Sequence, residues 1–112
     1  NPTIQDYINF CRIEKGLTHN TLSAYSRDLT RLEIFCSQYN RSLTEVDSNT
    51  LKSFIDSLYL ANLAERSIAR YIATVHNFYN HLLKQKIISK NPSSDISSPK
   101  LPSQLPKYLN LV

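Results

Sequence analysis

The sequence predicts an all-α protein, a bundle of four helices arranged as two helical hairpins, followed by an extended Pro- and Ser-rich segment. Apolar residues recur every three or four positions through most of residues 3–88, as on one face of a helix. No stretch alternates between apolar and polar residues for long enough to indicate a strand. The 112 residues are enough for one ordinary domain.

The first helix is predicted over residues 3–15. Thr3 is placed to cap its N-terminus, with Asp6 three residues later in a capping-box arrangement. Gly16 follows the last turn, where a residue in the left-handed conformation commonly ends a helix. The apolar face of this helix comprises Ile4, Tyr7, Ile8 and Cys11.

The second helix is predicted over residues 18–40, with Thr18 as its N-cap and Asn40 as a left-handed terminator. Its apolar positions hold a 3.6-residue period for almost five turns: Leu22, Tyr25, Leu29, Leu32, Phe35, Cys36 and Tyr39.

The third and fourth helices are predicted over residues 47–61 and 64–88. Asp47 caps the third, and Asn62 lies between them where Gly16 lies after the first helix. The apolar stripe of the third helix is Leu51, Phe54, Ile55 and Leu58, and that of the fourth is Ile68, Tyr71, Ile72, Val75, Phe78, Tyr79 and Leu82.

Residues 91–112 differ in composition from the helical part, because Pro and Ser are frequent and apolar residues are sparse. Such a stretch favours an extended linker. We therefore expect a domain over residues 1–90, and a linker over 91–112 that is poorly ordered and leads to a second, C-terminal domain absent from this chain.

An internal repeat relates the second and fourth helices. Residues 16–25 resemble residues 62–71, 46 positions later: each unit has a left-handed residue, a Leu, and a helix start bearing a hydroxyl. The repeat indicates that the second and fourth helices occupy equivalent places in two hairpins, each with roughly antiparallel helices.

The two equivalent helices carry polar side chains where an anionic ligand would bind. Hydroxyl, amide and guanidinium groups near helix N-termini suit phosphate oxygens, and those farther along suit base edges or phosphates. We expect one continuous surface, supported from beneath by Tyr25 and Tyr71. The candidates are Asn20, Thr21, Ser23, Arg27 and Arg31 on the second helix, and Arg66, Ser67, Arg70, Thr74 and Asn77 on the fourth.

The alternative for each of these residues is an ordinary solvated helix face. Arg27 and Arg31 lie close to Asp28 in sequence and would then form surface ion pairs that contribute little to stability. Arg70 is expected to be exposed, so that its replacement by Ala leaves folding nearly unchanged.

Composition and charge narrow the classes of function. The net charge of +4 comes from residues 84–112, since acidic and basic residues balance in residues 1–83, and a basic end suggests an anionic partner. A single Gly excludes glycine-rich phosphate loops. Cys11 and Cys36 lack metal-ligand spacing and are expected to be reduced core thiols in a cytoplasmic protein. No metal, cofactor or membrane span is expected.

Three motifs together resemble a known family. They are Gly16-Leu17-Thr18-x-x-Thr21-Leu22-x-Ala24-Tyr25-x-Arg27-Asp28-Leu29, then Arg66-Ser67-Ile68-Ala69-Arg70, and then Asn91-Pro92 with Ser98-Pro99-Lys100-Leu101-Pro102-x-x-Leu105-Pro106-Lys107. The chain resembles the N-terminal core-binding, SAM-like domain of the tyrosine recombinase/phage integrase family, most closely the bacterial XerD-type members. It departs at Ala64, where the family often has Ser or Thr.

The resemblance implies a SAM-like fold and a division of labour. In this family the N-terminal domain and a C-terminal catalytic domain clamp double-stranded DNA from opposite sides. The catalytic residues, including the nucleophilic Tyr, all belong to the C-terminal domain, and none is matched here. The resemblance therefore implies DNA binding without catalysis, and other recombinase protomers as partners of the full-length protein. We expect Lys100 and Lys107 to contact the DNA backbone only once DNA and the second domain are present. We expect the isolated domain to be monomeric.

The sequence leaves one other class of function open and disfavours a third. A helical protein–protein interaction or oligomerisation module has the same general shape, since fold alone does not decide function. The affinity of such a module is nearly independent of salt, whereas DNA affinity falls steeply with salt. A small standalone enzyme is disfavoured, because no nucleophile–base pair or paired carboxylate is visible.

Overall fold

A computed structural model of the chain describes residues 2–94 and residue 96. It contains the four predicted helices and, over those residues, no strand: α1 (Pro2–Glu14), α2 (His19–Ser37), α3 (Ser48–Leu60) and α4 (Glu65–Lys84). The all-α, four-helix prediction is confirmed. No helix within the described residues combines the length and apolar character that crossing a bilayer requires.

Two of the three predicted N-caps form as expected. The Thr18 side chain accepts a hydrogen bond from the backbone N–H of Thr21 at 3.2 Å, and Asp47 accepts one from Thr50 at 2.8 Å. The hydrogen bond from Thr50 lowers the pKa of Asp47. The predicted Thr3 cap is wrong because α1 already includes Pro2. Proline suits the first turn of a helix, where its missing N–H would have no intrahelical partner.

The helix ends follow the predicted backbone chemistry. Gly16, Asn40 and Asn62 all have φ near +60°, in the left-handed region. After α2, α3 and α4 a backbone N–H reaches back to the carbonyl five residues earlier, which satisfies carbonyls left over at the helix end. Lys86 is the left-handed residue after α4, so that helix ends before the predicted residue 88.

The helices pack in the pairs that two hairpins require. α1 packs on α2 and α3 packs on α4, while α2 also contacts α3 and α4. The predicted apolar stripes of all four helices lie in the shared core or pack against it, together with Leu43 and Val46 from the loop before α3. Tyr39 is the exception: it follows the end of α2 and is 51% exposed, so its assignment to the apolar face is wrong. The Tyr79 hydroxyl donates to the Leu43 carbonyl at 2.7 Å, which fixes that loop to α4, and burial raises the pKa of Tyr79.

The first residues after the bundle pack against it. Ser93 is fully buried, Ile96 is 8% exposed, and the His76 ring makes hydrogen bonds to the Ser93 hydroxyl and the Ile96 carbonyl. Asn91 is tied to α4 by a 2.8 Å hydrogen bond to Asn80. Residues 91–94 and 96 therefore pack against the bundle, in the stretch whose composition predicts a poorly ordered linker. Residue 95 and residues 97–112 lie outside the described residues.

Candidate nucleic-acid interface

A buried carboxylate on α2 holds an arginine on α4. Arg70 donates from Nε to Asp28 Oδ2 at 3.0 Å and from Nη2 to Asp28 Oδ1 at 2.8 Å. The Asp28 side chain is 1% exposed and that of Arg70 is 45% exposed, so the pair runs from the core to the surface. The Thr74 hydroxyl donates to Asp28 Oδ2 at 3.3 Å. The hydrogen bonds to Asp28 raise the pKa of Arg70, which keeps the guanidinium charged.

Tyr71 lies next to this pair and contacts two arginines. The guanidinium carbon of Arg70 is 5.1 Å from the centre of the Tyr71 ring, and that of Arg31 is 5.9 Å from the same centre. Both distances are within the range of cation–π attraction. Tyr71 is buried and Tyr25 is half-buried against the core, and their support of a DNA-binding surface stays a prediction.

The repeated helix starts have the same backbone but different capping. Thr18 and Ala64 are both extended, with φ and ψ of −70° and 160° and of −63° and 149°. The Thr18 side chain caps α2, whereas the Ala64 side chain makes no capping hydrogen bond to α4. The weakened cap predicted at Ala64 is confirmed.

The candidate residues of these two first turns occupy matched positions. Asn20 and Thr21 are the second and third residues of α2, and Arg66 and Ser67 are the second and third residues of α4. Asn20 and Arg66 are exposed, while Thr21 and Ser67 are half-buried.

The structure confirms or corrects several individual assignments. Thr74 is wrong as a DNA-contacting residue, because it is 1% exposed and its hydroxyl faces Asp28. Surface pairing of Asp28 with Arg27 or Arg31 is also wrong, because Asp28 is buried and pairs with Arg70. Arg27 and Arg31 are exposed, and Ser23 is half-buried.

Some assignments remain predictions. Lys100 and Lys107 lie outside the described residues. The polar residues of α2 and α4 that remain form what we call the α2/α4 face: Asn20, Thr21, Ser23, Arg27, Arg31, Arg66, Ser67, Arg70 and Asn77. That this face is continuous, and that it contacts DNA, is a prediction.

Asp28 is the buried residue beside the candidate site whose pairing was not predicted from the sequence. It lies three residues after Tyr25 and next to Leu29, and therefore on the apolar side of α2. A carboxylate on the apolar side of a helix needs a buried partner, so the position of Asp28 in the sequence already indicates a buried pair. Its partner Arg70 is 42 residues away, which no local pattern reveals.

The described residues contain no group of three or more His, Cys, Asp or Glu side chains that could hold a metal. Cys11 and Cys36 are buried free thiols, as predicted, and burial raises the pKa of Cys36 to about 11. The α2/α4 face therefore offers a ligand hydrogen-bond donors and positive charge.

Comparison with known proteins identifies the family. Residues 4–86 match the family described as "Phage integrase, N-terminal SAM-like domain". The chain belongs to this family. The match spans nearly all of the four-helix bundle, including both helices of the α2/α4 face, and confirms the resemblance noted from the motifs.

Curated relatives of this family member carry the name tyrosine recombinase XerD. The protein of that name from Staphylococcus haemolyticus strain JCSC1435 is 33% identical over 109 residues, and that from Staphylococcus aureus strain Mu50 is 32% identical over the same length. Each alignment covers 96% of this chain and 37% of the relative, so the chain spans little more than a third of the relatives' length. No solved structure matches the chain.

Proposed function

We propose that this chain is the DNA-binding N-terminal domain of a XerD-like tyrosine recombinase. It binds duplex DNA through the α2/α4 face and positions it for strand exchange by a catalytic domain outside this chain. The observation that carries the proposal is the family match over residues 4–86, together with relatives named tyrosine recombinase. Other protomers of the same recombinase are the proposed protein partners.

The charges on the α2/α4 face support this function. Four arginines, Arg27, Arg31, Arg66 and Arg70, lie on α2 and α4 with their side chains at least partly in solvent. Only Arg70 is held by Asp28, so the face retains an excess of positive charge toward a ligand. Most protein–DNA hydrogen bonds go to phosphates, and arginine and the helix N-terminal groups are among the usual donors.

The test is the salt dependence of binding to a 30-base-pair duplex, measured by fluorescence anisotropy between 50 and 200 mM salt. We expect the logarithm of the affinity to fall linearly with the logarithm of salt concentration, because bound cations are released from the phosphates. Arg66→Ala should weaken binding to all duplexes and reduce the magnitude of the slope by about one.

Lys52→Ala provides the matched control. Lys52 is also exposed, but it lies on α3, outside the α2/α4 face. Its removal should leave the slope unchanged. Equal effects of the two variants would mean that binding is diffuse over the surface, and no measurable binding by the wild-type chain would refute the proposed function.

The alternative function, a protein–protein interaction module, predicts a different result. Self-association or partner binding through apolar surface is nearly independent of salt. Absence of DNA binding, combined with salt-independent association in sedimentation, would favour that alternative.

A further inference from the structure

We infer that Arg70 is a specificity-determining residue that reads a guanine in the major groove, with Asp28 as the residue that positions it. This inference rests on the proposed DNA-binding function and goes beyond it, because the α2/α4 face alone does not say which side chain selects a sequence. It is carried by the geometry of the Asp28–Arg70 pair and by the charge of that pair.

The hydrogen bonds to Asp28 leave three of the five guanidinium donors unused, and the neighbouring Tyr71 side chain is a further hydrogen-bond partner of Arg70. Arginine has five N–H donors, and the hydrogen bonds to Asp28 use Nε and one hydrogen of Nη2. Both hydrogens of Nη1 and the second hydrogen of Nη2 are not used by Asp28. The adjacent donors of Nη1 and Nη2 form the fork that arginine presents to the O6 and N7 atoms of guanine.

The fork is held in place before any ligand arrives. Two hydrogen bonds to a carboxylate that is itself buried fix the plane of the guanidinium, and the Tyr71 ring lies 5.1 Å from its carbon. The Thr74 hydroxyl also donates to Asp28 Oδ2 and so helps to hold the carboxylate. Because little side-chain freedom remains to be lost on binding, the fork favours a ligand of matching geometry.

The charge of the pair favours a base over a phosphate. Asp28 offsets the charge of Arg70 at hydrogen-bond distance, so the pair as a whole contributes little net attraction to an anion. Guanine O6 and N7 are neutral acceptors, for which the geometry of the donors matters more than net charge. Arg27, Arg31 and Arg66 lack this buried partner and suit the phosphates.

The experiment selects binding sequences from a random duplex library with the wild-type chain, Arg70→Lys and Arg12→Lys. Lys keeps the positive charge beside Asp28 but has no fork. We expect the wild type to select a guanine at one position and Arg70→Lys to lose that preference while keeping the salt slope. Arg12→Lys is the matched control, because Arg12 is an exposed residue of α1 and should keep the preference.

A change in the DNA tests the same contact without altering the protein. Replacing the selected guanine by 7-deazaguanine removes the N7 acceptor and keeps base pairing. Wild-type affinity should fall, with loss of the guanine contact as a whole worth roughly 5- to 150-fold, and that of Arg70→Lys should be unchanged. This arm remains decisive if Arg70→Lys folds poorly, which thermal melting would reveal.

The outcomes separate the inference from the function on which it rests. Binding with no guanine preference, a preference that Arg70→Lys retains, or a 7-deazaguanine duplex that the wild type binds normally would overturn the inference and leave the proposed function standing. Failure of the wild-type chain to bind any duplex would overturn both.

Discussion

Arg70 and Asp28 show how the environment of a single residue changes the expected effect of its mutation. From sequence, Arg70 is a polar residue on an exposed face, and its loss should hardly affect folding. In the structure its guanidinium is the ionic partner of a carboxylate that is 1% exposed. Removing one member of such a pair leaves the other without compensation for its desolvation.

We predict that Arg70→Ala lowers the free energy of unfolding by about 1–3 kcal/mol. The cost falls below that of a fully buried pair, because Arg70 is partly exposed and its removal admits water to Asp28. Urea denaturation measures the effect. Arg27→Ala is the control, since that exposed residue should change stability by less than about 0.5 kcal/mol, and equal stabilities of the two variants would contradict the prediction.

Ala64 offers a second prediction at this scale. Its φ and ψ of −63° and 149° match the extended backbone of the Thr18 cap, but its methyl group accepts no hydrogen bond. Ala64→Ser should therefore raise the free energy of unfolding by about 1 kcal/mol. Thermal or urea denaturation would show the increase. A variant with unchanged or lower stability would show that the first turn of α4 does not accept the cap.

At the scale of the elements, local chemistry predicted the helices well. Gly16, Asn40 and Asn62 have φ near +60°, and these residue types were expected there because they tolerate that conformation. Lys86 also has φ near +60°, but lysine is not a residue type that predicts this conformation, so the predicted end of α4 at residue 88 is too late. The backbone hydrogen bond from Ile87 to Leu82 sets that end instead.

The contacts between helices could not be predicted from the sequence. The burial of Asp28 depends on Arg70 and Thr74, which lie 42 and 46 residues away on another helix. The packing of residues 91–94 and 96 depends likewise on His76 and on Ile96, a single apolar residue in a polar stretch. The periodicity of apolar residues predicts which face of each helix is buried. It does not predict which polar groups of two helices form hydrogen bonds with each other.

The contact between α1 and α4 gives stability a pH dependence. The His81 ring lies 4.4 Å from the Phe10 ring and 5.3 Å from the Tyr7 ring, measured between centres. Burial lowers the pKa of His81, and the nearby charges of Lys15 and Lys84 lower it further, against the opposing effect of Asp6. The neutral ring is therefore favoured in the folded state.

The sign of the pH effect follows from this lowered pKa. The unfolded chain binds the proton more readily than the folded chain, so stability is full above about pH 6.5 and falls as the pH drops below it. We predict that His81→Gln reduces this loss, seen as a smaller decrease in the urea midpoint between pH 7.5 and pH 5.5. An unaltered decrease in the variant would show that other groups cause it.

At the scale of the whole molecule, the bundle brings α2 and α4 together, and each contributes polar residues to one proposed face. The family match covers both helices, and the relatives extend well beyond this chain. In the proposed function this domain binds and positions DNA, and a catalytic domain outside this chain carries out the chemistry. The proposed DNA-binding function depends on the α2/α4 face.

The most direct test is chemical-shift perturbation of the chain by a duplex selected from the random library. We expect shifts clustered on α2 and α4, at Asn20, Thr21, Arg27, Arg66 and Ser67, with the Arg70 side-chain Nε–H among the largest. Residues of α3 such as Lys52 should change little. Perturbations centred on α3, or on the apolar residues of the core, would contradict the assignment of the DNA-binding face.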